Sequence, residues 1–255
     1  NIASTVTRNV SVQDSFAPVI SVPLSIEVAA TDSLGTARSN AEIAFFLNAA
    51  SALDAMDGVI EQINHDAAVT LPLGVNTITF SATDLSGNTG LGLATIVVSD
   101  LTAPAINLLG LSAQTLNVGE AYNEMGVTVM DNVDGDISAS IVVSGSVDSS
   151  KVGLYNLTYN IKDGAGNAAQ TQVRVITVQD VAAPVVTAPA AIIVVATDAN
   201  GTDAMVEAIT EFLNGASATD DVDGFIGQVN NDAPLTFPLG VTTVVFSAQD
   251  SNGNI

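Results

Sequence analysis

Residues 163–180 read Asp163-Gly-Ala-Gly-Asn167-Ala-Ala-Gln-Thr171-Gln-Val-Arg-Val-Ile-Thr-Val-Gln-Asp180. The first five residues are a turn signature, in which Asp and Asn supply side-chain acceptors and Gly a permissive backbone. The last ten alternate around β-branched residues and end on an acid, the pattern of a half-buried strand. The turn recurs at Asp84-Leu-Ser-Gly-Asn88 and at Asp250-Ser-Asn-Gly-Asn254. A matching opening recurs at Asp14-Ser-Phe-Ala-Pro18, Asp100-Leu-Thr-Ala-Pro104 and Asp180-Val-Ala-Ala-Pro184. Those opening aspartates stand 86 and 80 residues apart, the size of an Ig-like sandwich.

Working outward, two of these units are copies of each other. Ala17-Pro18-Val19 returns as Ala183-Pro184-Val185, Asp57-Gly58 as Asp223-Gly224, and Pro72-Leu-Gly-Val75 as Pro238-Leu-Gly-Val241, always at an offset of 166. About half of the aligned positions are identical, so these are two copies of one domain. The middle unit shares the ends of the repeat but not its interior. The expected organisation is 1–14 as the last strand of a preceding or partner-completed Ig-like unit, then units 15–100, 101–180 and 181–255, the last without its final strand. Asn1-Ile2 and Asn254-Ile255 are the same dipeptide in the same motif position, which points to a larger repeat of 253 residues. The expectation is a segment of a longer tandem array, with donor-strand complementation between subunits as the alternative.

The fold class read from these patterns is all-β, as tandem Ig-like β-sandwiches. Strands are expected around Thr77–Ser81, Val127–Met130, Ser140–Val143, Tyr155–Ile161 and Thr171–Asp180. A short helix is expected in the first and third units. Ser39 and Glu42 have the spacing of a capping box, and Ile43, Phe46 and Leu47 share one helical face, repeated as Ile209, Phe212 and Leu213.

Composition narrows the function. The 255 residues are 47% hydrophobic, too rich in aliphatics for a disordered chain. Lys+Arg number 5 against 27 Asp+Glu, a formal charge of −22. Five scattered cations give no footprint for nucleic acid and none for an anionic membrane. No apolar run is long enough to cross a bilayer as a helix. The absence of Cys removes thiol chemistry and disulfides, and a single His65 rules out a histidine triad or multi-His metal site within the chain. His65 becomes Asn231 in the second copy and reads as an exposed loop residue. Paired acids in solvated turns without an aromatic cleft do not suggest glycosidase chemistry, so no enzyme is expected. Carboxylates are the chief chemical resource, and hard cations are their natural partners.

These acids are placed to converge. In an Ig-like sandwich the loop carrying Asp131, Asp134 and Asp136 and the turn carrying Asp163 and Asn167 lie at the same end, where the first strand also begins after Asp100. The corresponding sets are Asp14, Asp54, Asp57, Asp84 and Asn88 in the first unit. In the third they are Asp180, Asp220, Asp221, Asp223, Asp250 and Asn254. Crowded carboxylates raise one another's pKa unless a counterion is present. Ca²⁺ accepts six to eight oxygens in irregular geometry, so these seventeen residues are the expected metal ligands. The loop is not an EF-hand, since Val142 stands where a bidentate Glu would be required.

At these residues the chain resembles known families. The outer units are similar to hyalin-repeat (HYR) domains in the Ala-Pro-Val opening, in Ala-Thr-Asp-x-x-Gly-Thr at 30–36 and 196–202, and in Pro-Leu-Gly-Val-x-Thr. The middle unit resembles bacterial Ig-like domains in Asp131-Asn-Val-Asp134-Gly-Asp136, Val152-Gly-x-Tyr155 and Asp163-Gly-Ala-Gly-Asn167. The resemblance implies repetitive extracellular modules of adhesins and large surface proteins. The expected role is therefore a calcium-rigidified structural segment of a bacterial cell-surface adhesin or extracellular filament. Its expected partners are neighbouring repeats of the same or identical chains. A self-assembling filament subunit, or a module binding a glycan or surface protein, is the alternative.

Overall fold

The computed structural model describes residues 3–255. The chain is all-β, with two short α-helices and one 3₁₀ turn. It divides into two compact units. One comprises the described residues up to Leu109 with Gly126–Val143 and Tyr159–Gln172; the other comprises Gly110–Met125, Ser144–Thr158 and Val173–Ile255.

Residues 3–13 form no strand and are exposed throughout. Residues 3–13, where the last strand of a preceding or partner-completed unit is expected, pair with no strand among the described residues. Asn1 and Ile2, on which the 253-residue register partly rests, lie outside the described residues.

The first repeat starts with β1 (Val19–Ser21), β2 (Ile26–Ala29) and β3 (Thr36–Ala37), followed by α1 (Ala41–Leu47). Then come β4 (Ser51–Asp54), β5 (Gly58–Val59), β6 (Asn64–His65), β7 (Thr70–Leu71), β8 (Gly74–Thr83) and β9 (Thr89–Ser99). The order β2-β9-β8-β6 makes one sheet and β1-β4-β5 a second. β9 is the hinge of the larger sheet: it pairs parallel with β2 and antiparallel with β8 along ten residue pairs. Its alternation puts Ala94, Ile96 and Val98 into a core shared with Val28, Ile43, Phe46, Leu71, Ile78 and Phe80. The helix is capped by Asn40, not Ser39. The Asn40 carboxamide oxygen accepts from the backbone N–H of Glu42 at 2.9 Å and of Ile43, the first-turn donors that a cap exists to satisfy. Ile43, Phe46 and Leu47 are buried on its inner face, as their spacing predicts. His65 is no loop residue: it sits half-buried on β6 opposite Phe80, with its ring edge-on to that ring at 6.4 Å.

The second repeat supplies two sheets. β10 (Ala105–Leu108), β12 (Val127–Asp131) and β13 (Gly135–Asp136) form one, in the order β10-β12-β13. β11 (Ala113–Asn117), β14 (Val142–Ser144), β15 (Gly153–Asn160) and β16 (Gln172–Gln179) form the other, in the order β11-β16-β15-β14. β14 begins later than Ser140 because residues 138–140 turn as a 3₁₀ helix. On β16 the inward face is Arg174, Ile176 and Val178. Arg174 is fully buried and meets Glu124 at 3.3 Å. The other Glu124 oxygen accepts the Tyr122 hydroxyl. Burial, reinforced by that bond, pushes Tyr122 up to about 12.

The third repeat carries β17 (Val185–Thr187), β18 (Thr202–Asp203), α2 (Glu207–Asn214), β19 (Ser217–Asp220) and β20 (Gly224–Ile226). β21 (Asn230–Asn231), β22 (Thr236–Phe237) and β23 (Phe246–Ser247) complete it. The β17-β19-β20 sheet repeats β1-β4-β5 at the same 166-residue offset, Val186 facing Ala218 as Ile20 faces Ala52. The short β18–β22 ladder likewise repeats β3–β7. In both, a glycine with φ of +112 or +121 (Gly35, Gly201) passes so close to a carbonyl, of Leu71 or Phe237, that no Cβ would fit. At the same offset the counterpart of β9 would be residues 255–265, of which the chain holds only Ile255.

Candidate metal centres

Each repeat builds the same cage from four pieces of chain. The first piece is the aspartate just before an Ala-Pro turn: Asp14, Asp100 or Asp180. One oxygen of each accepts the backbone N–H two residues on, from Phe16 at 3.0 Å, Thr102 at 3.2 Å or Ala182 at 3.0 Å. The second is the aspartate that ends β4, β12 or β19. Asp54 Oδ1 accepts from the N–H of Met56 and Asp57 at 2.7 and 3.0 Å, Asp131 from Val133 and Asp134 at 2.8 and 2.9 Å, and Asp220 from Val222 and Asp223 at 2.8 and 3.0 Å. These are Asx turns: the short carboxylate side chain folds the loop onto itself.

The third piece locks that loop to the late turn. Asp57, Asp134 and Asp223 each accept, through Oδ2, the N–H of the residue after the turn's aspartate: Leu85 at 2.8 Å, Gly164 at 2.5 Å and Ser251 at 2.6 Å. The fourth is the turn itself. Asp84, Asp163 and Asp250 accept both the backbone N–H and the side-chain amide of Asn88, Asn167 and Asn254, all at 2.7–2.8 Å. The same amides reach back to the carbonyls of Asp14, Asp100 and Asp180 at 3.3, 3.2 and 3.4 Å. Burial works against ionisation of Asp84, Asp163 and Asp250, yet these donors outweigh it and hold the three carboxyls below the usual range.

With those oxygens occupied, two buried carboxylate oxygens per cage remain that no protein donor reaches. They are Oδ2 of Asp14 and Asp54, of Asp100 and Asp131, and of Asp180 and Asp220, all buried. Asp54, Asp131, Asp180 and Asp220 are each more than nine-tenths buried as whole residues. Ligand oxygens of Asp14, Asp54, Asp57 and Asp84 lie within 4.8 Å of one another. So do those of Asp100, Asp131 and Asp134, and of Asp180, Asp220 and Asp250. Two unit charges 4 Å apart repel by about 4 kcal/mol at an effective dielectric near 20. Asp100 shows the effect: burial, followed by the charges of Asp131, Asp163 and Asp134, raises its carboxyl above the usual value.

Residues 106–178 match the family described as "Bacterial surface protein, Ig-like domain". This Ig-like segment holds the second cage except for Asp100, which precedes it. Over 230 residues the chain is 29% identical to an uncharacterized 81.3 kDa protein of Acholeplasma phage L2, covering 82% of this chain and 29% of that protein. It is 25% identical over 261 residues to hyalin of Strongylocentrotus purpuratus, covering 99% of this chain and 21% of hyalin. The chain thus spans less than a third of either relative. Among solved structures, a lipoprotein of Bacteroides thetaiotaomicron is 28% identical, covering 34% of this chain and 49% of its own, at a TM-score of 0.29. That superposition is too loose to bear on function.

Not every acid expected at a site joins one. Asp136 accepts the Ser138 N–H at 3.0 Å and its hydroxyl at 2.5 Å, so it shapes the 3₁₀ turn beyond the cage. Asp221 is exposed and belongs to no cluster among the described residues. Asp223 lies outside the third cluster and grips Ser251 through both the N–H and the hydroxyl. Asn88, Asn167 and Asn254 act as bridges that orient the aspartates. The sequence did not reveal the role of Asn132 and Val133, which stand between two of the acids. The Asn132 amide donates to the Ala30 carbonyl at 2.9 Å, and Val133 packs on the core of the first repeat. The counterparts are Ala55-Met56 and Asp221-Val222; Val222 repeats Val133 but neither copy repeats Asn132, so the repeat comparison gave no signal for the pair.

Proposed function

We propose that this chain is a non-catalytic structural segment of a longer extracellular or cell-surface protein, whose Ig-like repeats are stiffened by calcium at their junctions. One observation carries the reading: in every cage two buried aspartate oxygens have no protein donor, within a cluster whose carboxylate oxygens lie within 4.8 Å of one another. A buried carboxylate with no partner is costly, and the same defect three times over is what a divalent cation would repay. All candidate ligands are oxygens, their arrangement is irregular, and carboxylates dominate. Those features favour calcium over magnesium, which demands near-octahedral geometry, and over zinc, which prefers nitrogen and sulfur. The similarity to hyalin and to the surface Ig-like family supports the extracellular setting.

The position of each ion would do the mechanical work. Asp100 directly follows β9 and Asp180 directly follows β16, so each links the end of one repeat's last strand to the loops of the next. A cation shared among Asp100, Asp131 and Asp134 would restrict rotation at that joint, adding to the Asn132–Ala30 bond and the Val133 contact. Occupancy at 100-fold over the dissociation constant adds about 2.7 kcal/mol per site. Calorimetric titration of calcium into the chelator-treated chain should give three sites. Asp54→Asn, Asp131→Asn and Asp220→Asn should each remove one. Binding that persists unchanged in the triple variant would overturn the assignment.

A further inference from the structure

The joint after the first repeat and the joint after the second are built alike but fastened differently. In each, a strand lies parallel to the last strand of the repeat. Ala29 on β2 faces Ser99 on β9, and Asn117 on β11 faces Gln179 on β16. The next residue extends both ladders. The Ala30 N–H donates to the Ser99 carbonyl at 2.8 Å, and the Val118 N–H to the Gln179 carbonyl at 2.9 Å. Ala30 and Val118 therefore hold the same position, each beside the residue that precedes Asp100 or Asp180.

What the following repeat brings to that position differs. At the first joint the loop after β12 makes a bond across it: the Asn132 amide donates to the Ala30 carbonyl at 2.9 Å. Val133 packs on the core of the first repeat beside that bond. At the second joint the loop after β19 carries Asp221 where the first carries Asn132, while Val222 repeats Val133. An ionised carboxylate accepts hydrogen bonds and donates none, so Asp221 has nothing to offer the Val118 carbonyl. Its side chain is exposed and takes no hydrogen bond among the described residues, whereas Asn132 is half-buried. The loops differ at this position by one amide against one charge.

We propose that the first joint is latched by the protein alone, whereas the second is held by its cation and becomes a hinge when calcium is withdrawn. The latch stands on Asn132 and Val133, and the hinge rests on the calcium reading of the third cage. Emptied, that cage keeps two buried oxygens without a donor, Asp180 Oδ2 where β16 has ended and Asp220 Oδ2 at the end of β19. Like charges so placed push the loop away from the strand end. The same repulsion acts between Asp100 and Asp131 at the first joint, but there the Asn132–Ala30 bond and the Val133 contact oppose it. Falling calcium then frees the chain at one set place, between the second and third repeats, and a few residues at that junction absorb the motion.

The test measures distance distributions between spin labels. The chain has no Cys, so labels attach only to cysteines introduced at exposed positions. Thr77 and Asn156 span the first joint, and Asn156 and Thr219 the second. Both distributions should be narrow in millimolar calcium. In chelator the second should at least double in width while the first keeps its own. Asp221→Asn, which supplies the missing amide at an exposed position, should narrow the second joint in chelator, and Asn132→Asp should broaden the first. Equal widths at the two joints in chelator overturn the proposal, as does either variant leaving its joint unchanged. A second joint equally broad with and without calcium also overturns it, and calorimetric titration of the same chain then locates the failure. Calcium bound without narrowing means that the filled cage does not hold the joint. No calcium bound means that the cage reading beneath the hinge has failed.

Discussion

The first and third repeats share about half of their residues at one constant offset, yet they bury very different amounts. In residues 15–100 the helix, β2, β8 and β9 enclose a core with Ile43, Phe80 and Ile96 at 0% exposure. In residues 181–255 only Ile209, Ala218 and Ala248 among the hydrophobics are buried. Every ladder that does not touch β9 survives in the third repeat, with the register preserved. β1-β4-β5 reappears as β17-β19-β20, β3-β7 as β18-β22, and the start of the β6-β8 pairing as β21-β23. The losses fall on the counterparts of β2 and β8, the two strands that flank β9; of the second only Phe246–Ser247 is still a strand. The counterpart of β9 would be residues 255–265, so within 181–255 both of its neighbours are without the central strand that pairs them in the first repeat.

That comparison can be broken most forcefully at β9 itself. Ile96→Asp would put an unpaired charge at the centre of the first core and cost about 4 kcal/mol or more. The first repeat should then lose its cooperative unfolding transition, and its β2 and β8 amides should exchange as fast as residues 192–195 and 240–245. Next in size are the paired phenylalanines. Phe46→Ala, at a buried site packed on Phe80, should cost about 3–5 kcal/mol by chemical denaturation. Phe212→Ala, at the half-buried counterpart, should cost clearly less. Equal costs would mean that the third core is as closed as the first.

Smaller effects sharpen the picture. Asp54→Asn keeps the oxygen that accepts from Met56 and Asp57 while removing a charge. In chelator it should be neutral or slightly stabilising, while the thermal shift produced by calcium should shrink by one site's share. At the helix starts, Asn40→Ala should cost about 1 kcal/mol of first-repeat stability. Val206, which caps α2 without any side-chain bond, should gain about 0.5–1 kcal/mol on replacement by Asn, read as a raised denaturation midpoint.

Much of this was legible in the sequence, because repetition supplies its own internal check. Turn residues recurring at fixed offsets placed the strands, the inserted helices and the clustered acids of all three cages. What stayed hidden depended on which way a side chain points. Alternation along residues 171–180 shows a strand but not that its inward face carries Arg174, whose burial depends on Glu124 fifty residues away. Asp136 and Asp221 looked like ligands because loop acids are equivalent in sequence; Ser138 claims one and solvent the other. Ser39 and Asn40 are both good caps, and only the backbone path chooses Asn40. The second role of Asp57, Asp134 and Asp223, holding the late turn by its N–H, is invisible until the two loops are seen together.

The most direct test of the calcium cages is thermal unfolding of the chain in millimolar Ca²⁺ and again in excess chelator. Two unpartnered, buried oxygens in each of three cages predict a rise in midpoint of about 10 °C or more with calcium, taking about 2.7 kcal/mol per well-occupied site and about 4–8 °C per kcal/mol for a domain of this size. Midpoints that coincide in the two conditions would contradict metal binding and leave the three cages as acidic turns held by their own hydrogen bonds.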